Sequence, residues 1–272
     1  MPTPIGNLED LSFRAVDRLK NAEIFFCEDT RVTKSLISLI KSRFDVEFFP
    51  NAKFISFHSH NEDEIISSLD LDTFNKPAVF VSDAGMLAIS DPGAKLVLWC
   101  QKNGVEYEVL SGANAALVAY AASGELGGKF VFYGFLPHKL EAKKEILSDL
   151  MELNFGVVLY ESPKRVLDLM DLIATIDEKR EIFAVKELTK RYEKRFFGSA
   201  KQVAASIKEA NISGEWCVVI FPNRQTKADK NSEIVSDLME LNAPIKPLSK
   251  ILSKLTDTKP SIWYERLLKA KK

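Results

Sequence analysis

The fold class is decided by a segment that reads AVFVSDAGMLAISDPG and spans residues 78–93. Its first four residues form a short apolar run, which is typical of a buried β-strand. The remainder holds two aspartates and two glycines, and a segment of helical period follows over residues 94–102. A strand that passes through a polar loop into a helix is the repeating unit of α/β proteins, and ligands bind at such loops.

The same alternation extends over most of the chain. Further strand-like runs, short and rich in β-branched or aromatic residues, occupy residues 24–27, 54–57, 107–110, 130–133, 157–160, 182–185 and 217–221. Segments of helical period occupy residues 11–19, 62–69, 113–122, 143–150, 166–176 and 201–210. We therefore predict an α/β protein that is built on largely parallel sheets.

The domain organisation follows from changes in composition along the chain. A glycine-rich stretch at residues 123–128 separates a helix of small residues from a new strand, so the domain junction lies near it. After Pro222 the pattern becomes polar and then helical again. We predict an α/β domain over residues 1–112, a second over residues 113–222, and a small basic helical appendage over residues 223–272.

Composition excludes several classes of protein. The chain has 272 residues, of which 46% are hydrophobic, and no apolar run approaches the ~18 residues of a membrane span. The start, Met1-Pro2-Thr3-Pro4, lacks the features of a secretory signal. Cys27, Cys100 and Cys217 are odd in number and far apart, which does not suit a disulfide framework. These observations predict a location in the cytoplasm.

The net charge of −1 conceals an asymmetry along the chain. The first predicted domain carries a net charge of −6, the second is neutral, and the appendage carries +5. A protein that binds free nucleic acid by electrostatic attraction alone usually has a larger net positive charge. Binding to RNA would therefore depend on local patches, such as the cations at residues 186–195 that alternate with aromatic rings. A solvated charged surface explains the same pattern.

Two further loops place carboxylates after predicted strands. They read Tyr160-Glu161-Ser162-Pro163 and Lys186-Glu187-Leu188-Thr189. Ser162-Pro163 also fits a helix N-cap followed by proline at the first helical position, and Asp91-Pro92-Gly93 also fits a simple turn before a helix. Capping does not exclude ligand contact, so both interpretations stay open.

Several common site motifs are absent from the sequence. His58-Ser59-His60 has no third ligand nearby, so we predict no metal centre. The chain lacks a phosphate-binding Walker loop, a G-x-G-x-x-G fingerprint and a Ser-His-Asp order. Residue spacing alone therefore predicts a two-domain α/β protein with a polar cleft, and it leaves the reaction open.

Eight separated motifs, taken together, resemble one family. In chain order they are Pro2-Thr3-Pro4-Ile5-Gly6-Asn7-Leu8, Cys27-Glu28-Asp29-Thr30-Arg31, His60-Asn61-Glu62, Ser82-Asp83-Ala84-Gly85, Ser90-Asp91-Pro92-Gly93, Gly134-Phe135-Leu136-Pro137, Tyr160-Glu161-Ser162-Pro163 and Glu187-Leu188-Thr189. They resemble the ribosomal RNA small-subunit methyltransferases of the tetrapyrrole methylase family, over residues 2–221.

The resemblance implies a homodimer of two α/β domains with S-adenosylmethionine in the cleft between them. It implies methyl transfer to a ribose 2′-hydroxyl of a cytidine in the decoding region of 16S rRNA, and the near-neutral charge favours the assembled 30S subunit as the substrate. The implied cofactor contacts are Pro4, Ser82, Asp83, Ala84, Gly85, Ile89, Ser90, Ala115, Ala116, Tyr160 and Leu188. The implied candidates for the catalytic base are Asp29, Asp83, Glu161 and Glu187. Those for RNA contact are Arg31, Lys164, Arg165, Lys190 and Arg191.

The chain departs from the family pattern in two loops and at its start. Met86-Leu87 replaces Thr-Pro, and Ser111 and Ala113 replace prolines, which loosens the backbone there. The family also has an apolar strand before the first loop, so we expect that a few residues are missing from this end. Two alternatives stay open: a tetrapyrrole carbon methyltransferase, and an inactive protein that binds the cofactor or the ribosome.

Overall fold

The computed structural model describes residues 1–89, 92–223, 235, 237–239, 243–256 and 258–270. The chain divides into two compact units. One consists of Met1–Met151 with Phe155–Phe221, and the other of Glu152–Asn154 with Pro222–Lys272. Two β-sheets and their helices lie in the first unit.

The first sheet has three parallel strands in the order β2-β1-β3. The strands are β1 (Ile24–Cys27), β2 (Lys53–Ser56) and β3 (Ala78–Val81), and all four residues of β1 are buried. Helices α1 (Phe13–Asn21), α2 (Thr30–Phe44), α3 (Glu62–Ser67) and α4 (Ala94–Asn103) accompany this sheet, with short 3₁₀ turns at Leu8–Asp10 and Leu71–Asn75. Because the strands are parallel, their carboxyl ends lie at one edge, where residues 28, 57–58 and 82–85 follow them.

The second sheet has five strands in the order β4-β5-β8-β6-β7. They are β4 (Phe130–Phe135), β5 (Gly156–Glu161), β6 (Glu181–Lys186), β7 (Lys194–Ser199) and β8 (Trp216–Ile220). β4 and β5 are parallel, whereas β8 is antiparallel to β5 and β6, and β7 is antiparallel to β6. Its helices are α5 (Ala115–Ser123), α6 (Leu140–Met151), α7 (Val166–Ile176) and α8 (Ala200–Lys208).

The helix that begins the second half of the chain is fixed by its caps. The Asn114 side chain accepts a hydrogen bond from the backbone N–H of Leu117, and α5 ends at Gly124 in the left-handed conformation. The first seven of its nine residues are apolar and mostly small (AALVAYA), so the helix packs closely against β5 and β8. Its N-terminus is thereby held at a fixed place beside the second sheet.

The described part of the second unit contains two long helices. Helices α9 (Ile245–Thr256) and α10 (Pro260–Ala270) pack around Leu248, Leu252, Trp263 and Leu267, which are all buried. The indole Nε1 of Trp263 donates to Thr256 Oγ1 at 2.7 Å, so the polar edge of this ring also has a partner.

The α/β class and the helical appendage are confirmed, but three details differ from the prediction. Largely parallel pairing holds for the first sheet only, because three of the four strand pairs in the second sheet are antiparallel. Residues 107–110 form no strand, and β7 and α2 were not predicted. The division at residues 112 and 113 stays a prediction. None of the described helices is both long and apolar enough to cross a membrane.

Candidate functional site

A cavity of about 370 Å³ lies at the carboxyl edge of the first sheet and extends to the second sheet. Its volume is within the range of small-molecule sites. The residues that line it are Ile5, Ala84, Gly85, Met86, Ile89, Asn114, Ala115, Phe135, Tyr160, Glu161, Ser162, Pro163, Leu188, Glu215, Trp216 and Cys217. Both halves of the first unit therefore contribute to one concave, mostly apolar site.

The wall from the first sheet is held by the amino-terminal loop. The backbones of Thr3 and Gly85 exchange two hydrogen bonds of 3.0 and 3.1 Å, and the Ser82 hydroxyl donates to the Gly85 carbonyl at 2.9 Å. Gly85 has φ of +77°, which favours glycine, and a Cβ there would lie 3.2 Å from Ile5 Cγ2. The loop thus brings its backbone against the cavity, while Ser82 is buried beneath it.

The wall from the second sheet is centred on Tyr160. Its hydroxyl oxygen accepts a hydrogen bond of 3.0 Å from the backbone N–H of Ala116, in the first turn of α5. The first N–H groups of a helix lack intrahelical partners, so this bond satisfies one of them. The rings of Phe132 and Phe135 contact the Tyr160 ring at centroid distances of 4.8 and 5.7 Å. Tyr160 is therefore fixed at both its ring and its hydroxyl.

Two carboxylates meet at the carboxyl ends of β1 and β3. The backbone N–H of Asp83 donates to Glu28 Oε2 at 3.3 Å, and the backbone N–H of Asp29 donates to Asp83 Oδ1 at 3.0 Å. Burial raises the pKa of both Glu28 and Asp83. The charge of Asp83 raises the pKa of Glu28 further, and the charge of Asp29 raises that of Asp83. His58, after β2, faces Glu28, and its Nδ1 is buried with no hydrogen-bond partner in the described part of the chain. The motif around Glu28 was noticed in the sequence, but its carboxylate was not predicted as a site residue.

Asp29 has a different environment from Asp83. Its Oδ1 accepts from the backbone N–H of Arg31 at 2.8 Å, as an N-cap of α2, and its Oδ2 lies 2.6 Å from Arg31 Nη2. The side-chain hydrogen bond from Arg31 lowers the pKa of Asp29 to about 2. A carboxylate with so low a pKa is a weak proton acceptor, and its role as the catalytic base stays a prediction.

Glu161 belongs to the cavity wall, but its side chain forms a buried ion pair. Alternation along β5 carries it to the opposite face of the sheet from Tyr160, and its side chain is fully buried. Its Oε2 lies 3.2 Å from Arg165 Nη2 and 4.0 Å from Lys143 Nζ, and its Oε1 accepts from the Ser162 N–H. Arg165 and Glu161 therefore form an internal ion pair. The role of Arg165 in RNA contact and that of Glu161 in catalysis stay predictions.

Glu187 and Lys190 also pair internally. Glu187 Oε1 accepts from the Glu215 backbone N–H at 3.0 Å and from Lys190 Nζ at 3.0 Å, and Lys190 also lies 2.8 Å from Glu215 Oε2. The hydrogen bond from the Glu215 N–H lowers the pKa of Glu187. Both Glu187 and Thr189 have positive φ, and a Cβ on Gly6 would lie 2.4 Å from Lys190 Cγ. These bonds shape the loop that presents Leu188 to the cavity.

The remaining predicted cations are exposed. Lys164 and Arg191 form no ion pair within the described residues, and Arg191 lies 5.6 Å from the centroid of the exposed Tyr192 ring. The Arg31 side chain is 88% exposed, although it pairs with Asp29. These three side chains are accessible to a large polyanion.

The predicted cofactor contacts separate into three groups. Those that line the cavity are Ala84, Gly85, Ile89, Ala115, Tyr160 and Leu188. Those outside its wall are Pro4, Ser82, Asp83 and Ala116, whereas Ser90 lies outside the described residues. Sequence reasoning missed Ile5, Asn114, Phe135, Glu215, Trp216 and Cys217 as lining residues. Phe135 and Ile5 lie within quoted motifs, but nothing in one sequence shows that β8 reaches the same cavity.

Among the described residues, no group of three His, Cys, Asp or Glu side chains is placed to hold a metal ion. The rings of His58 and His60 are 6.0 Å apart and turned 64° to one another. Cys217 is buried in the cavity wall, and this burial raises the pKa of its thiol to about 12. The chemical character of the site is therefore apolar surface with a few fixed polar groups.

Comparison with known families gives a match over most of the chain. The family described as Tetrapyrrole (Corrin/Porphyrin) Methylases matches residues 2–204. These residues include the first sheet and four of the five strands of the second sheet, and they end within α8, before β8.

Relatives with curated names match nearly the whole chain. A protein of Campylobacter fetus subsp. fetus (strain 82-40), named Ribosomal RNA small subunit methyltransferase I, is 43% identical over 273 residues, which covers 98% of each chain. A protein of Helicobacter pylori (strain J99) with the same name is 38% identical and covers 100% of this chain and 98% of its own.

Solved structures share the fold at low sequence identity. Cobalt precorrin-4 methyltransferase superposes with a TM-score of 0.58 at 18% identity and covers 81% of this chain and 92% of its own. Uroporphyrin-III C-methyltransferase of Thermus thermophilus, in complex with S-adenyl homocysteine, has a TM-score of 0.53 at 18% identity, with coverages of 80% and 94%. Diphthine synthase has a TM-score of 0.60 at 12% identity, with coverages of 81% and 88%.

Proposed function

Because the chain belongs to the tetrapyrrole methylase family, we propose that it transfers a methyl group from S-adenosylmethionine to a ribose 2′-hydroxyl of a cytidine in the decoding region of 16S rRNA. It is a methyltransferase that acts on ribosomal RNA of the small subunit, as its relatives at 37–43% identity over nearly their full length are named. The nucleotide and the 2′-oxygen are the finer part of the proposal. They rest on the eight sequence motifs.

The single observation that supports the proposal is the cavity at the carboxyl edge of the first sheet. Its walls suit the methyl donor: Ile5, Met86 and Leu188 offer apolar surface for a planar base and an aliphatic chain, and Asn114 offers a polar side chain. Gly85 lets the backbone approach without a Cβ. We propose that these residues, with Ala84, Ile89, Ala115 and Tyr160, hold S-adenosylmethionine.

S-adenosylmethionine supplies a methyl group that is already activated by a sulfonium centre. The protein then has to position the acceptor oxygen and keep water away. Tyr160 can position the acceptor oxygen, because its ring is held by Phe132 and Phe135 and its hydroxyl by the Ala116 N–H. Trp216 and Cys217 close the far wall, and each is less than 10% exposed.

We propose Asp83 as the group that accepts the proton of the 2′-hydroxyl. It directly precedes Ala84 in the cavity wall, and burial raises its pKa, which makes its carboxylate a better base. Glu28 accepts the Asp83 backbone N–H and thereby fixes the loop. Asp29, Glu161 and Glu187 are each committed to an internal ion pair or cap, so Asp83 suits the task better.

RNA binding is proposed for the exposed cations Arg31, Lys164 and Arg191. The negative charge of the first 112 residues works against binding to free RNA. For that reason we propose the assembled 30S subunit as the substrate, a homodimer as the working form and the cytoplasm as the location.

The test has a binding arm and an activity arm. Calorimetric titration of the purified chain with S-adenosylmethionine should give saturable binding, and primer extension should then map one 2′-O-methylated cytidine on treated 30S subunits. Asp83→Asn should lower the rate of methyl transfer by about 10²- to 10⁴-fold and leave cofactor affinity within about threefold. Methylation of uroporphyrinogen with no methylation of 30S subunits would favour the carbon methyltransferase instead.

A further inference from the structure

One aromatic residue of the cavity, Phe135, contacts the Tyr160 ring and is itself largely exposed. Phe135 lines the cavity, yet its side chain is 57% exposed. The other rings of this region, Trp216 and Phe132, are buried or partly buried. A large apolar ring at the rim of a binding site is a typical contact for a planar partner.

A β-bulge gives Phe135 its direction. Phe132 pairs with Val158, but the next pair is Gly134 with Leu159, so Tyr133 is an extra residue in β4. Gly134 has φ of +81°, which favours glycine at this irregularity. In a regular strand, residues three positions apart, such as Phe132 and Phe135, point to opposite faces of the sheet. The bulge brings Phe132 and Phe135 to the same face, where both rings contact Tyr160. Bulges that redirect a side chain are frequent next to active sites.

The loop after Phe135 is held rigidly from the opposite face. Arg165 Nη2 donates to the carbonyl oxygen of Leu136 at 2.8 Å and to that of Pro137 at 3.3 Å. The same guanidinium pairs with the fully buried Glu161 carboxylate. Because the backbone that carries the ring is already fixed, a partner that binds the ring orders little else. The ring is therefore part of a preorganised binding surface.

We propose that Phe135 stacks against the nucleobase of the nucleotide that receives the methyl group, and that Arg165 is a positioning residue for this ring. The proposal rests on the proposed function and assigns the acceptor side of the same site. Phe135 lies at the outer rim, whereas Leu188 and Cys217 at the inner wall are 6% and 7% exposed. The inner wall therefore suits the small donor, and the rim suits a base that is turned out of an RNA strand.

The experiment compares Phe135→Leu, which removes the aromatic face, with Phe135→Tyr, which keeps it. Phe13→Leu is the matched control, because Phe13 is 94% exposed and lies outside the cavity wall. Each variant is titrated with S-adenosyl homocysteine, bound to 30S subunits in a sedimentation assay, and assayed for kcat/KM with 30S subunits.

Loss of one base–aromatic stack corresponds to about 5- to 150-fold in affinity. We expect Phe135→Leu to lower kcat/KM by about tenfold or more and to weaken 30S binding, while S-adenosyl homocysteine affinity stays within about twofold. Phe135→Tyr should retain most of the 30S binding that Phe135→Leu loses, because it keeps the aromatic face, and Phe13→Leu should match the parent chain. Arg165→Lys should lower kcat/KM for 30S subunits in the same direction, with Phe135→Leu adding little on top of it.

Three results would overturn the inference. Parent-like kcat/KM and 30S binding in Phe135→Leu would show that the ring has no partner in the RNA. A matching loss of S-adenosyl homocysteine affinity would assign the ring to the donor. An equal loss in Phe13→Leu would make the effect non-specific. If the parent chain neither binds nor methylates 30S subunits, the proposed function fails and the inference fails with it.

Discussion

Replacement of Glu161 by glutamine tests whether the buried ion pair supports the second sheet. The change keeps the shape of the side chain and an acceptor for the Ser162 N–H, but it removes the charge that faces Arg165 at 3.2 Å and Lys143 at 4.0 Å. The side chains of Arg165 and Lys143 are only 17% and 7% exposed, so two cations lose their shared anion in a poorly solvated place. Breaking a buried pair on one side costs about 3–5 kcal/mol.

Urea unfolding, followed by tryptophan fluorescence and circular dichroism, measures this effect. With a slope of about 3 kcal/mol per M, the midpoint of Glu161→Gln should fall by about 1 M or more. Addition of Lys143→Met should restore part of the loss, because one unpaired cation is then removed. The control is Glu178→Gln, whose partner Lys201 is 75% exposed, and it should cost less than about 1 kcal/mol. Equal midpoints for Glu161→Gln and the parent would refute the argument.

Three further predictions concern the cavity and the RNA contacts. Gly85→Ala and Gly104→Ala both place a side chain at positive φ and should each cost about 1 kcal/mol in urea unfolding, but only Gly85→Ala, whose Cβ would lie 3.2 Å from an atom of the cavity wall, should weaken cofactor binding in calorimetry. Burial raises the pKa of the Cys217 thiol to about 12, so the thiolate is scarce at pH 8 and mass spectrometry should detect slow alkylation, whereas rapid alkylation in the folded chain would contradict this. Lys164→Ala and Arg191→Ala should each reduce the salt slope of 30S binding by about one unit, and an unchanged slope would remove that side chain from the RNA interface.

β1 and β3 were predictable because each is a short, wholly apolar run whose side chains pack into hydrophobic clusters on both faces of the sheet. β1 (Ile24–Cys27) and β3 (Ala78–Val81) have the predicted bounds. β7 was missed because its residues, KRFFGS, mix charges with two rings and a glycine at the edge of a sheet. Residues 107–110 look like a strand by composition, but pairing decides whether an extended segment joins a sheet, and local sequence does not record the partner.

Antiparallel pairing in the second sheet was not predictable from periodicity alone. β6, β7 and β8 follow one another with only one helix, α8, between β7 and β8. The segment between β6 and β7 is short and contains two residues with positive φ, Glu187 and Thr189, neither of which is a glycine. A hairpin at this place has no Asn-Gly or Gly-rich turn to reveal it, so strand direction was read as parallel by default.

The cavity was predicted where it depends on strand ends and missed where it depends on tertiary arrangement. Ala84, Gly85 and Tyr160 follow or end strands, and parallel topology alone places them at the binding edge. Phe135 lines the cavity because of a one-residue bulge, and Trp216 because β8 inserts between β5 and β6. Both events are long-range pairings, which a single sequence does not encode in any local pattern.

The charged residues that attract attention in the sequence mostly stabilise loops, and this division fits the chemistry of the site. Glu161 and Glu187 are taken up by Arg165 and Lys190, and each pair fixes a loop that presents an apolar side chain to the cavity. A donor with an activated methyl group needs alignment more than it needs strong acids or bases. These ion pairs fix the loops that line the cavity, and so help to align the donor and the acceptor. Because their charges are paired with one another, they do not compete for the sulfonium. Asp83 has no ion-pair partner among the described residues and directly precedes Ala84 in the cavity wall, so it is the informative carboxylate.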